Sequence, residues 1–186
     1  MKFIFLIICI LLIFFGLLFS QDKKQMCFSY EQKIVYSKLI AELESYRSPQ
    51  EIQTILGKDV SWETIRESKL DKGDPRPPYG LTEVSVNDFS HFGFRGELQL
   101  VFFNDRLMST TFHPVEFQQY LKSLIETQKL RFKNVYYKHK EAKVAPYTRI
   151  SVPSEDYMKE FDGKLSVTWE DTRLIAERDA WILKYS

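Results

Sequence analysis

Leu98, Leu100 and Phe102 alternate with Gln99, Val101 and Phe103, the period-two pattern of a strand with one buried face. Asn104-Asp105 follows, two residues that tolerate positive φ, and Arg106–Phe112 reads as the second arm of a tight hairpin. A two-residue loop sets Phe102 opposite Leu107 and Val101 opposite Met108. The pattern is helical before this hairpin. Val35, Leu39 and Leu43, flanked by Tyr36, Ile40 and Tyr46, form an i, i+4 stripe that predicts a helix over Asp22–Tyr46. Ser48-Pro49-Gln50-Glu51 is a capping box with proline at the first helical position. Ile52, Ile55 and Leu56 then make a short apolar face, and Gly57 is placed to close the helix in a left-handed conformation.

Val60–Leu70 alternates loosely and predicts a strand, as does Thr82–Val86. Between them Pro75, Pro77 and Pro78 remove donors and fix φ, so Gly73–Gly80 reads as a stiff loop. Asn87–Gly96 reads as a second loop, crowded with Phe89, Phe92 and Phe94. Beyond the hairpin, Pro114 is expected to open a helix with the stripe Phe117, Leu121, Leu124 and Ile125, ending near Leu130. Tyr147–Val152 predicts a strand, and Ser154 caps a brief helix that closes at Gly163. Two final strands are expected, Leu165–Trp169 and Leu174–Tyr185. The order VTWEDTRL at Val167–Leu174 matches VFFNDRL at Val101–Leu107 closely enough to suggest an internal repeat, in balance with coincidence. The expected fold is α+β, with helices packed on an antiparallel sheet.

The N-terminus changes the picture most. Phe3–Phe19 carries no charge, and at 1.5 Å per residue it is about 25 Å long as a helix. A cut after Ser20 would put Leu18 at the −3 position, against the small-x-small pattern of signal cleavage. An uncleaved signal anchor over residues 1–21 is the expectation, with a cleaved signal peptide as the alternative. One domain, residues 22–186, then lies outside the cytoplasm, in the periplasm. Of the two cysteines, Cys9 lies in the apolar run, which leaves Cys27 with no internal disulfide partner in the domain.

Net charge of +1 gives no global field for nucleic acid. The basic stretch Arg131–Lys143 reads as a solvated loop after a helix, with nucleic acid or anionic lipid as the alternative. His91, His113 and His139 show no metal spacing, so neither metal nor cofactor is expected. His113 reads as a helix-entry residue. A catalytic reading is confined to His91 with Asp88 or Glu97. Nucleophile and phosphate-loop signatures are missing from the sequence.

SPQEIQTILG followed by strands ending in LVFFNDRL resembles the helix–helix–antiparallel-strand module of the β-lactamase-inhibitory protein family. It is similar too to the small lipoproteins of the outer-membrane β-barrel assembly machinery. The chain departs from those patterns in lacking a lipidation cysteine and in carrying Lys58-Asp59 after the glycine. The resemblance implies a non-enzymatic, protein-binding module of the cell envelope, with an immunity or inhibitor type among the forms it would take. The expected partner surface joins the two loops through Tyr79, Phe92, Phe94 and Arg95, residue types that dominate interface energy. Alternatives are a hydrolase-type enzyme using His91 and a purely structural envelope component. Mass spectrometry of the native protein should find Met1 or Lys2 retained; a mature chain starting at Gln21 would establish secretion instead.

Overall fold

The hairpin forms around Asn104 and Asp105, both at positive φ (47° and 57°), the turn whose twist matches that of its strands. The computed structural model describes residues 34–57, 60–136, 138–160 and 164–186, and the expected helix over Phe3–Phe19 lies outside them. Strands β1 (Trp62–Lys69), β2 (Gly80–His91), β3 (Phe94–Phe103) and β4 (Arg106–Pro114) form one meander. Strands β5 (Lys133–Tyr136), β6 (His139–Lys143), β7 (Thr148–Pro153) and β8 (Val167–Asp171) form another. The two meet where β4 pairs with β8, giving one eight-stranded antiparallel sheet in the order β1-β2-β3-β4-β8-β7-β6-β5. Four helices complete the α+β fold among the described residues: α1 (Pro49–Leu56), α2 (Phe117–Gln128), α3 (Glu155–Glu160) and α4 (Thr172–Tyr185).

One face of the sheet carries the main core. Val84, Leu98, Leu100, Phe102, Phe112, Ile150 and Trp169 are buried there against Ile52 of α1 and Phe117, Tyr120 and Leu124 of α2. The opposite face is polar along its middle, where Ser85, Gln99, Thr111 and Thr168 follow one another across the strands. At one end it becomes apolar, where Phe103 and Met108 cluster with Leu174 of α4.

The capping box forms as expected: the Glu51 amide donates to Ser48 Oγ (3.3 Å) and the Ser48 amide donates to Glu51 Oε2 (2.8 Å). Gly57 has positive φ (108°), but its ψ of 140° lies outside the left-handed helical region. Phe102 pairs with Leu107 as expected, whereas a bulge after Val101 sets that residue opposite Ser109 instead of Met108. The bulge turns Met108 toward Phe103, filling the second core.

Other expectations are overturned. Described residues of Asp22–Tyr46 form no helix: Ala41 and Tyr46 have positive φ, and Lys38 bridges back to Glu44. Leu39, Ile40 and Leu43 are buried all the same, as the apices of a folded-back turn. Asn87–Gly96 is not a loop, since β2 runs through to His91 and β3 begins at Phe94. Pro114 ends β4, and the helix begins at Phe117, so His113 is a strand residue. Most of Arg131–Lys143 is the β5–β6 edge hairpin. Leu174–Tyr185 is helix α4, not a strand.

Phe102 is buried in the main core, and the Trp62 ring meets it edge-on at 6.1 Å. Phe102→Ala should therefore cost about 3–5 kcal/mol. Chemical denaturation will measure it; a change under about 1 kcal/mol would mean the site collapses around the missing ring.

Candidate functional site

The β2–β3 hairpin turns through Phe92 and Gly93, at φ 52° and 80°. A two-residue turn of this kind favours Asn-Gly, because a bulky residue at positive φ crowds its own Cβ against the carbonyl. Phe92 occupies that position and is 41% exposed, its ring stacked on His91 at 4.1 Å. Arg95 follows on β3, exposed and in no ion pair with a described residue. Its carbonyl accepts from the Val115 amide (3.0 Å), and Val115 is 82% exposed. The hairpin tip thus presents an aromatic ring, a guanidinium and an aliphatic side chain at one end of the sheet.

Gly96 makes this approach possible. A Cβ there would collide with the His113 carbonyl and lie 2.8 Å from the Phe112 ring and from Pro114 Cα. Across β2, a bulge between Val86 and Phe89 holds Asp88 at φ 56°. Bulge and glycine together open a cleft of about 580 Å³ lined by Asp88, Arg95, Glu97, His113 and Lys164. Glu97 accepts from Lys164 (2.8 Å), Ser85 Oγ (2.7 Å) and Gln99 (3.1 Å), and these bonds hold its carboxyl down to about 2. His113, opposite Glu97, is depressed by burial, and neither ring nitrogen has a well-formed hydrogen bond among the described residues. The backbone of Leu165 and Lys164 approaches the ring and favours its protonation, without reaching good hydrogen-bond geometry.

His91 belongs to the core. Its Nδ1 lies 2.7 Å from the Tyr120 hydroxyl, with Phe112 and Trp169 edge-on around the ring. Burial pushes its pKa down to about 4 and raises that of Tyr120. The structure does not join His91 to Asp88 or Glu97: its polar partner is a tyrosine, and Glu97 is engaged on the opposite face of the sheet. Among the described residues no cluster of three His, Cys, Asp or Glu side chains is placed to hold a metal ion.

The four residues expected to meet a partner separate into three settings. Phe92 and Arg95 share the exposed tip. Phe94 turns inward, half-buried and edge-on to Tyr120 at 5.7 Å. Tyr79 lies before the far end of β2, wedged between Phe103 (5.7 Å) and Trp181 (4.5 Å). Twelve residues of β2 at about 3.3 Å each put Tyr79 on the order of 40 Å from Phe92, so the two expected loops form no common surface. Val115 went unrecognised, although it lies out of phase with the Phe117–Leu121–Leu124 stripe, a signal that it faces away from the core.

Searches of protein-family models, curated proteins and solved structures find no match to this chain.

Because burial depresses the His91 pKa, the unfolded chain takes up that proton more readily. Stability is complete above the ordinary value of 6.5 and falls as pH drops toward about 4. Over that window the loss attributable to His91 is about 3 kcal/mol. Denaturation of His91→Gln across pH 7 to 4 should show a shallower decline, with His113 and, toward pH 4, the lowered carboxyls of Glu97 and Asp171 supplying what slope remains. An unchanged decline would remove His91 as its source.

Proposed function

We propose that the chain is a non-enzymatic, protein-binding module of the cell envelope. On this reading residues 3–19 hold it in the membrane as a single-pass anchor. The domain stands on the periplasmic side and occludes a partner protein in the manner of an immunity or inhibitor protein. The observation that carries the proposal is Phe92: a large aromatic, part-exposed, at a left-handed position where asparagine would fold more easily. Strain of that kind persists where a side chain serves something other than stability. Arg95 and Val115 beside it supply a charge free of described ion pairs and an exposed aliphatic surface, a combination suited to a protein interface.

The Phe92-Gly93 turn gives a variant that separates binding from folding. Phe92→Asn removes the ring and installs the residue this turn prefers, so its melting temperature should hold or rise while capture weakens by about 1–3 kcal/mol. Arg95→Ala should weaken capture without lowering the melting temperature. The partner is located with a photo-crosslinking phenylalanine analogue at position 92 in intact cells, and one at Ile65 on the edge strand as control. A discrete adduct from position 92 that fades with Arg95→Ala supports the reading; adducts identical to those from position 65 defeat it.

A further inference from the structure

Helix α4 lies across the other end of the sheet. Its first residue, Thr172, donates its amide to the Tyr147 carbonyl (2.9 Å) in the β6–β7 turn. Glu177, near its middle, pairs with Arg106 just after the Asn104-Asp105 turn (2.7 Å). The Trp181 indole donates to the Pro77 carbonyl (3.1 Å) in the loop before β2. Fourteen residues at 1.5 Å make about 21 Å, close to the roughly 19 Å of the four strand spacings from β7 to β2. Leu174 is its buried residue, and the outer side carries Ala176, Ala180 and Leu183 at i, i+4 and i+7, with Leu183 90% exposed. Val144 and Tyr147 stand exposed in the adjoining β6–β7 turn. Val35 is exposed beside them, its carbonyl accepting from Arg173 (2.7 Å) while the Arg173 guanidinium lies 4.1 Å over the Tyr147 ring.

We propose that this end of the domain rests on the surface of a lipid bilayer, with Leu183, Val144 and Tyr147 at the boundary between headgroups and acyl chains. The proposal builds on the membrane-anchored reading above. Two observations select a bilayer over other occupants. The chain enters the described domain at Val35, beside this surface, and fifteen residues separate it from the apolar run ending at Phe19. Extended, they reach about 50 Å at most, so an anchored chain keeps this end at high effective concentration near the membrane. The exposed chemistry is interfacial as well: aliphatic and tyrosine side chains flanked by Lys143 and Lys184, whose stems can lie on lipid with their amines in water. Arg106, Arg76 and Arg178 are paired to Glu177, Asp74 and Asp179, which lowers the charge presented here. Asp71 and Asp105 lie by the Pro-rich loop and the β3–β4 turn, which α4 meets toward its C-terminal end, and they add negative charge beside Leu183 that the lysines offset.

The full chain, with Cys9→Ser and Cys27→Ser, is reconstituted in vesicles of phosphatidylcholine and phosphatidylglycerol carrying a nitroxide near the headgroup. An environment-sensitive fluorophore is attached at Leu183→Cys or Val144→Cys, and at Val115→Cys on the opposite end as reference. Quenching at positions 183 and 144 should exceed that at 115 by at least about twofold, and Tyr147→Glu should reduce it. Chains that float with vesicles but quench equally at all three positions would overturn the proposal and leave the anchor standing. Chains that do not float would remove the anchor and the proposal together. Cross-linking of two copies through position 183 without lipid quenching would assign the face to a second copy and likewise overturn it.

Discussion

Asp171 is the point at which the end of β8, the start of α4 and the segment Val35–Arg47 are joined. It is 0% exposed, ends β8 and caps α4, and both its carboxylate oxygens are used. Oδ1 accepts from the Arg173 amide (2.9 Å) and Nε (3.0 Å); Oδ2 accepts from Arg173 Nη2 (2.6 Å) and Ser45 Oγ (2.7 Å). Burial alone would raise its pKa, but the bonds from Arg173 and Ser45 outweigh that, and the carboxyl is held below its ordinary value. Arg173 then reaches the Val35 carbonyl and Ser37 Oγ, its guanidinium lying over Tyr147 and Tyr46. A buried ion pair of this sort is weak evidence of net stabilisation, yet losing one partner strands a charge in the interior. The network therefore fixes where Val35–Arg47 lies, a segment with almost no regular structure of its own.

The same junction explains why a legible motif misled. VFFNDRL and VTWEDTRL share strand, acid, arginine and leucine, and only the first makes a hairpin. Asn104 and Asp105 both turn left-handed, returning the chain on itself. Asp171 stays extended (φ −85°, ψ 111°) and bonds the amide two residues on, which is the geometry of a helix cap. One inserted residue, Thr172, separates the two outcomes. The helical period was present in Leu174, Arg178 and Trp181, spaced i, i+4 and i+7, but the dense apolar run around them also reads as strand. Over residues 34–46 the error ran the other way: the stripe is real and its residues are buried, but tertiary contacts to Asp171 and Leu107 replace the helix.

The α+β class, the central hairpin and the capped α1 were legible because each rests on local chemistry: alternation, a turn dipeptide, a side-chain cap. The candidate site was legible only in part. Phe92 and Arg95 were recognisable by residue type. Their separation from Tyr79 depends on β2 continuing past its bulge to His91, and that continuation depends on pairing with β3. Gly96, which reads locally as a loop boundary, is instead a place where strands approach too closely for a side chain. Such facts belong to the assembled sheet and leave no mark on a single segment.

The sheet order has a mechanical consequence. Residues before the domain join it at Val35, which Arg173 ties to the end of β8, a strand paired on both sides. A load arriving there is borne by the middle of the sheet and not by an edge strand, where ladder bonds would peel one at a time. The exposed edges are free of that duty: β1 is almost wholly polar and charged, WETIRESK, and β5 is four residues long, both of which discourage unwanted strand pairing. The hairpin tip carrying Phe92 lies at the far end of the ladder from this attachment. Between the two ends run β3, β4 and β8, each paired on both sides, so the tip and the Val35 junction are joined through the most fully bonded strands of the sheet.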